Sequence, residues 1–214
     1  MAYDDIQDFI KTLEKHNLLM RITAKVDSTY EITEITDRVV KSQGPALLFE
    51  NIKDSAYPVL INAFGSYERI NLAFEVKNLD CIADDISKFL DIAGYSGILT
   101  KVKSIPRLAR LAKIFPVKVN KAPCQEIIEE PDLNTLPILK CWPNDGGKYI
   151  TLPIVITKDP ETGIQNMGMY RMQVFNSTTT GMHWHLHKDG KRIYEKYKKM
   201  GDRMPVSVAL GCDP

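Results

Sequence analysis

Short apolar segments separated by prolines, glycines and polar turns fill this chain after Pro123, and they restrict its fold more than any other feature. The segments lie at 138–142, 150–156, 164–174, 183–187 and 206–210. Such spacing is typical of a β-barrel or a β-sandwich. The exception is 190–200, where apolar residues recur at helical spacing among lysines. We therefore expect residues 123–214 to form a β-rich domain with one basic helix.

Residues 1–100 show a different pattern, in which helical and strand-like segments alternate. A first helix is predicted where apolar residues from Ile6 to Leu13 recur at helical spacing after two aspartates, which favour a helix start. Further helices are predicted at 32–40, 67–76 and 80–93, and strands at 19–26, 46–49 and 59–61. This alternation favours an α/β domain, for which we expect a structural role.

Residues 101–122 form a basic segment that Pro106 and Pro116 interrupt. The segment contains lysines and arginines but no acidic residue, and it lacks the regular aromatic residues of a nucleic-acid stacking surface. We therefore interpret it as a solvated linker rather than a site for an anionic partner. The net charge of the whole chain is +1, which gives no reason to expect nucleic acid or a membrane as partner.

Hydrophobic residues make up 44% of the chain and charged residues 26%, values that are ordinary for a soluble protein. The four cysteines lie far apart and form neither a disulfide framework nor a zinc-binding pair, so we expect free thiols in a reducing compartment. No apolar run approaches the ~18 residues that a membrane span requires. Together these features predict a cytoplasmic protein.

Three of the four histidines occupy alternate positions, His183, His185 and His187. On a strand they would share one face. Such a face suits a divalent metal or a phosphate, but half-exposed sheets also carry histidines without function. Two other side chains support the first interpretation, because Asn166 offers an amide oxygen suited to Mg²⁺ or Mn²⁺ and Arg171 a planar fork that matches a carboxylate.

Several motifs of this chain resemble those of the UbiD decarboxylases, a family that uses prenylated FMN. One is Asn166-x-Gly168-Met169-Tyr170-Arg171-Met172-Gln173. Others lie at 44–51, 64–66, 136–143, 149–153, 157–163 and 204–214. The resemblance covers almost the whole chain, and the family continues beyond the point where this sequence stops.

The resemblance implies an α+β fold, with an N-terminal α/β domain at 1–100 followed by the first part of a flavin-binding split β-barrel at 123–214. It also implies reversible, non-oxidative decarboxylation of an aromatic or α,β-unsaturated acid. Prenylated FMN would be the electron sink, and the protein would bind and orient the cofactor and the substrate. Mn²⁺ or Mg²⁺, and K⁺, are the candidate ions. A flavin prenyltransferase would supply the cofactor.

The same resemblance assigns roles to individual residues. Asn166 and His187 match metal ligands. Arg171 matches a catalytic residue that pairs with the substrate carboxylate and with a catalytic glutamate. The cofactor-binding positions are Met169, Tyr170, Arg171, His183, Trp184, His185 and Lys188. The third metal ligand and the catalytic glutamate of the family lie downstream of residue 214. We therefore expect the isolated chain to be inactive and to need a C-terminal half, on another chain or absent from this sequence, within an oligomer.

Two further interpretations stay open at this point. In the first, the chain is a non-catalytic scaffold subunit of a multi-subunit carboxylase. In the second, the three histidines form a plain metal site that serves hydrolysis, and the chain binds no flavin. Retention of Asn166, Arg171 and His187 disfavours the scaffold, because a scaffold need not keep an arginine fork beside metal-ligand chemistry.

The spacing of Asn166 and Arg171 leads to one geometric prediction. The two residues are five positions apart, so on a regular strand their side chains would face opposite ways. We predict either a bulge or twist near Gly168, or a cofactor that spans both sides of the strand.

Overall fold

The computed structural model of the protein describes residues 3–94 and 119–212. Most of the predicted basic linker, residues 101–118, lies outside the described residues. The chain divides into two compact units, the first made of residues 1–74 and 131–214 and the second of residues 75–130. All the candidate site residues belong to the first unit.

The N-terminal part of the first unit is a three-stranded sheet covered by helices. Helix α1 spans Ile6–Lys15 and begins after Asp5, whose carboxylate accepts hydrogen bonds from two N–H groups of the first turn. The other elements are β1 (Leu19–Ile22), α2 (Glu31–Lys41), β2 (Ala46–Phe49), β3 (Val59–Ile61) and α3 (Tyr67–Ala73). Strand β2 lies between a parallel β1 and an antiparallel β3, and all its residues are buried. The alternation predicted for this region is confirmed.

The second unit contains helix α4, Asp80–Gly94, and a 3-10 turn at Pro123–Gln125. The predicted helix at 80–93 is thus confirmed. None of the described helices is both long enough and apolar enough to span a bilayer.

The C-terminal part of the first unit contains two three-stranded antiparallel sheets and one helix. Its elements are β4 (Lys148–Ile150), β5 (Ile154–Lys158), β6 (Gln165–Met169), β7 (Met172–Val174), β8 (Thr180–Met182), α5 (Asp189–Met200) and β9 (Ser207–Ala209). The strand orders are β4-β7-β8 and β6-β5-β9. Helix α5 contacts β5 and β6. The α+β fold and the basic helix are therefore confirmed.

Four of the predicted strands differ from those observed. The segment at 138–142 forms no strand and makes only isolated bridges, at Leu139 and Lys140. The predicted strand at 150–156 is divided between β4 and β5, which belong to different sheets, and the one at 164–174 is divided between β6 and β7. The predicted strand at 183–187 is wrong. Strand β8 ends at Met182, and the chain then turns into α5, with the N–H of Lys188 donating to the carbonyl oxygen of His185 at 3.0 Å.

No bulge occurs at Gly168, so the first of the two alternatives is wrong there, and the cofactor that spans both sides of the strand stays a prediction. Strands β5 and β6 pair without interruption from Ile154 opposite Met169 to Lys158 opposite Gln165. The break comes two residues later, at Tyr170 and Arg171, where the chain passes from one sheet to the other. Gly168 is needed for a different reason, because a Cβ there would lie 2.8 Å from Cε2 of Tyr170.

Candidate active site

The turn at 159–163 closes the β5–β6 hairpin that carries Asn166. The carbonyl oxygen of Asp159 accepts a hydrogen bond from the N–H of Gly163 at 2.9 Å. Gly163 has a φ of 71°, a left-handed value that glycine adopts without steric cost. The proline and glycine of this segment are typical of such a reversal.

An ion pair joins this turn to α5. The Asp159 side chain is buried, and its carboxylate accepts from Nζ of Lys196 at 2.7 Å and from the N–H of Glu161 at 2.9 Å. The hydrogen bond from Lys196 is the main reason why the pKa of Asp159 lies below its ordinary value. Asp159 and Glu161 in turn raise the pKa of Lys196. Helix α5 is thus held electrostatically against the hairpin.

This pair predicts a pH dependence of stability. A carboxyl whose pKa is lower in the folded chain stabilises the fold above its unfolded pKa, about 3.9, and loses that contribution as the pH falls through the folded value. We therefore expect Asp159→Asn to lower the free energy of unfolding at pH 7 and to have a smaller effect at pH 3, which lies below the unfolded pKa. Urea unfolding at both pH values measures the difference. Asp37→Asn, which removes an exposed pair with Lys41, is the control and is expected to change little at either pH. An equal loss from Asp159→Asn at both pH values would contradict the prediction.

The face of the β5–β6 hairpin that contacts α5 carries Asn166 and Gly168. Asn166 lies directly opposite Thr157 in the strand register, and its Nδ2 donates to Oγ1 of Thr157 at 3.5 Å. Thr157 and its neighbour on this face, Val155, are fully buried. Among the described residues no donor reaches the side-chain oxygen of Asn166. That oxygen is the group that a hard cation would use.

Tyr170 follows on the same face and contacts the start of α5. It is 5% exposed, and its hydroxyl accepts a hydrogen bond from the N–H of Gly190 at 2.9 Å. Trp184 packs on Tyr170 with ring centroids 4.8 Å apart and stacks on Tyr194 at 6.5 Å. A Cβ at Gly190 would lie only 2.3 Å from Cζ3 of Trp184. The aromatic cluster of Tyr170, Trp184 and Tyr194 therefore fixes the turn that precedes α5.

The histidines lie in and beside this turn rather than on a shared sheet face. All three are exposed. The rings of His185 and His187 are 5.6 Å apart, while the N–H of His183 extends the β7–β8 pairing by donating to the carbonyl oxygen of Arg171 at 3.1 Å. Within the part of the chain that the structure describes, no group of three or more His, Cys, Asp or Glu side chains is arranged to hold a metal. The three-histidine metal site is therefore wrong.

Arg171 lies at the crossing between the two sheets. Its side chain is exposed, and its Cζ lies 5.6 Å from the ring centroid of Tyr149 on β4. No acidic side chain of the described residues forms an ion pair with it. Because Tyr170 is buried towards α5, the next residue along the extended chain presents its side chain on the opposite side. Asn166 and Arg171 thus belong to different sides of the crossing.

The remaining predicted cofactor contacts lie at the rim of the same region. Met169 is the last residue of β6 and is 51% exposed. Lys188 immediately precedes α5 and is exposed. These positions are accessible to a ligand, and their cofactor roles stay predictions.

Sequence reasoning missed three residues that organise the site. Tyr149 carries no catalytic signal of its own in the sequence, yet it faces Arg171. Asp159 lies in a segment whose composition indicates only a turn, yet its buried carboxylate holds α5. Gly190 was read as part of a basic helix, and the signal that could have revealed it is a glycine placed in the first turn, where a small residue indicates close contact.

The residues present fit part of a metal-bound flavin site. The unpaired amide oxygen of Asn166 and the exposed imidazole of His187 are ligand types that Mn²⁺ accepts. Mn²⁺ and Mg²⁺ favour six ligands, so these two residues leave further positions for phosphate, water or other side chains. Asn166 and His187 are therefore compatible with Mn²⁺ or Mg²⁺, but the two residues alone do not complete the coordination of the ion.

Comparison with known proteins adds independent information. Residues 10–90 match the 3-octaprenyl-4-hydroxybenzoate carboxy-lyase N-terminal domain, and residues 116–214 match the Rift-related domain of the same family, UbiD. An uncharacterized protein of Archaeoglobus fulgidus is 46% identical over 215 residues, which cover 100% of this chain and 44% of that protein. The chain thus spans less than half the length of this relative.

Solved structures show the same relation. An evolved dimeric form of the UbiD-class enzyme HmfF from Pelotomaculum thermopropionicum, in complex with prFMN, is similar with a TM-score of 0.77 and 25% identity over 99% of this chain and 45% of that chain. The closed form of vanillic acid decarboxylase from Sedimentibacter hydroxybenzoicus gives a TM-score of 0.78 and 25% identity over 99% of this chain and 44% of that chain. Two family domains in order, and a fold shared along nearly the whole chain, show that this protein belongs to the UbiD family.

Proposed function

We propose that this chain is the N-terminal half of an enzyme that reversibly decarboxylates an aromatic or α,β-unsaturated acid with prenylated FMN and a divalent metal. The observation that carries the proposal is the setting of Arg171. Its guanidinium is exposed beside an aromatic ring and has no acidic partner among the described residues, so both edges of its fork are available to a carboxylate.

Arg171 would hold the carboxylate of the acid before CO₂ leaves. A bidentate arginine–carboxylate contact fixes the direction of the breaking C–C bond as well as supplying charge. Its position at the crossing places it on the opposite side of the backbone from Tyr170. A cofactor with a phosphate at one end and a ring at the other could therefore span the crossing, with its phosphate near Asn166 and its ring near Arg171.

Asn166 and His187 would hold the metal that anchors the flavin phosphate, and the exposed Lys188 adds positive charge near the start of α5. Prenylated FMN, when bound, supplies the electron sink that decarboxylation at an sp² carbon requires. Trp184 excludes water from one side of this turn through its packing on Tyr170. Met169 and His185, both exposed, are left to line the cofactor.

The C-terminal half belongs to the proposal because the proton that replaces CO₂ needs a carrier. By the family resemblance that carrier and the third metal ligand are downstream glutamates. Strands β6 and β9 are the outer strands of their sheet, and Met167 on β6 is 69% exposed. An exposed apolar strand at a sheet edge favours pairing with further strands. We propose that the C-terminal half completes a split barrel there.

The experiment is co-expression with a flavin prenyltransferase, using this chain together with the C-terminal half that completes it. The absorption spectrum, the metal content and CO₂ release from a panel of aromatic acids are then measured. Bound flavin, bound Mn²⁺ and CO₂ release support the proposal, and we expect the 214-residue chain alone to release no CO₂. A complete protein that binds no flavin but assembles with an active carboxylase would instead identify a scaffold subunit.

A further inference from the structure

The contact between Arg171 and Tyr149 has a specific geometry. Cζ of Arg171 lies 5.6 Å from the centroid of the Tyr149 ring, which is within the range of a cation–π interaction. This interaction orients the guanidinium without using any of its N–H donors. The N–H groups of the guanidinium therefore stay available for carboxylates, that of the substrate and, as the family resemblance implies, that of a catalytic glutamate.

Tyr149 is itself held on several sides. It is the central residue of β4, and its N–H donates to the carbonyl oxygen of Leu139 at 2.9 Å. Its hydroxyl donates to Oε1 of Gln173, the residue opposite it on β7, at 3.1 Å. Nε2 of Gln173 donates in turn to the carbonyl oxygen of Gly146 at 2.9 Å. The ring is therefore fixed in the plane that faces Arg171.

The glycine at the end of this chain of hydrogen bonds allows the close approach. A Cβ on Gly146 would lie 3.0 Å from Nε2 of Gln173 and 3.4 Å from the hydroxyl of Tyr149. A Cβ there would crowd the amide of Gln173 and would reach ordinary contact with the hydroxyl of Tyr149. The set of Gly146, Gln173 and Tyr149 thus forms one built support beneath an otherwise exposed arginine.

We infer that Tyr149 is the positioning residue of Arg171, holding its guanidinium ready for the carboxylate of the substrate. This inference rests on the proposed function for the substrate, but the contact itself does not. Tyr149 touches neither cofactor nor substrate in this scheme. Gln173 supports it by fixing the ring, and the aromatic face rather than the hydroxyl contacts Arg171.

The test compares Tyr149→Leu with Tyr149→Phe in the complete holoenzyme. Loss of the ring is expected to raise KM for the acid by about 2- to 30-fold. This range corresponds to the energies of cation–π contacts in exposed and in desolvated surroundings. We expect kcat to change much less, and Phe to restore most of the affinity. Tyr30→Leu removes another such contact, with Lys140 at 5.5 Å, and is the matched control expected to leave KM unchanged.

A second readout is independent of activity. The Nε–Hε signal of Arg171 in nitrogen-15 NMR, assigned by its loss in Arg171→Lys, is expected to show a ring-current shift in wild type and Tyr149→Phe and to lose it in Tyr149→Leu. If Tyr149→Leu does not fold, Gln173→Leu is expected to shift the same signal in the same direction and by less. An Arg171 signal that is identical in every variant would overturn the inference. A signal that moves while no acid is turned over would overturn the proposed function instead.

Discussion

Replacing Arg171 by alanine in the complete enzyme is expected to lower kcat/KM for the acid substrate by about 10²- to 10³-fold. The loss corresponds to two charge-assisted hydrogen bonds to one carboxylate, roughly 3–4 kcal/mol together. Arg171 is exposed and forms no described ion pair, so its removal leaves no buried charge behind and the fold is expected to keep its stability. Steady-state kinetics and a thermal melt of the same samples separate the two effects.

Arg171→Lys and Arg38→Ala complete this experiment. Lysine keeps the charge but lacks the planar fork, so we expect it to recover only a small part of the lost activity. Arg38 is an exposed arginine on α2 whose partner is Glu34, and its removal should leave kcat/KM unchanged. If Arg171→Ala retained more than about a third of wild-type kcat/KM, the assignment of Arg171 to the substrate carboxylate would fail, because the expected effect is at least tenfold larger.

Replacing Gly190 by alanine is expected to destabilise the chain by about 1–3 kcal/mol, the usual cost of inserting a methyl group into a filled space. Alanine favours helices over glycine by about 1 kcal/mol, which opposes this loss. Steric conflict is expected to win, because the new Cβ would lie 2.3 Å from Trp184, and that ring is held between Tyr170 and Tyr194.

The same substitution is expected to weaken cofactor retention. Trp184 belongs to the turn that carries His187, so moving the ring moves the proposed metal ligand. Urea unfolding gives the stability, and the ratio of bound metal and flavin to protein gives the retention. Lys198→Ala, at an exposed position of the same helix, is the control and is expected to change neither quantity. If the stability of Gly190→Ala were unchanged, the prediction would be wrong, because the aromatic cluster would then move aside for the new methyl group without cost.

Residue patterns predicted the elements whose stability is local. Helix α1 was recognisable because Phe9 and Leu13 recur at helical spacing after an aspartate that caps the helix, and both residues are fully buried. The turn at Gly163 was recognisable because only its own residues are needed to form it. In both cases the information lies within a few positions of sequence.

The errors arose where a distant residue determines the backbone. Alternating histidines at 183–187 fit a strand by spacing, but Trp184 is drawn onto Tyr170 and the chain turns there. A bulge or twist was predicted near Gly168, because a glycine in a strand commonly marks a bulge, whereas the chain crosses between the sheets at Tyr170 and Arg171. The true reason for that glycine, the ring of Tyr170, is a packing contact that no periodicity encodes.

The first turn of α5 depends on a phenol from elsewhere in the chain. Lys188, the residue before the helix, makes no capping hydrogen bond with its side chain, whereas the hydroxyl of Tyr170 accepts from the N–H of Gly190. A helix start that needs a partner twenty positions upstream gains that bond only after the hairpin has formed. The shape of the turn with His187 therefore depends on the hairpin that brings the hydroxyl of Tyr170 to the start of α5.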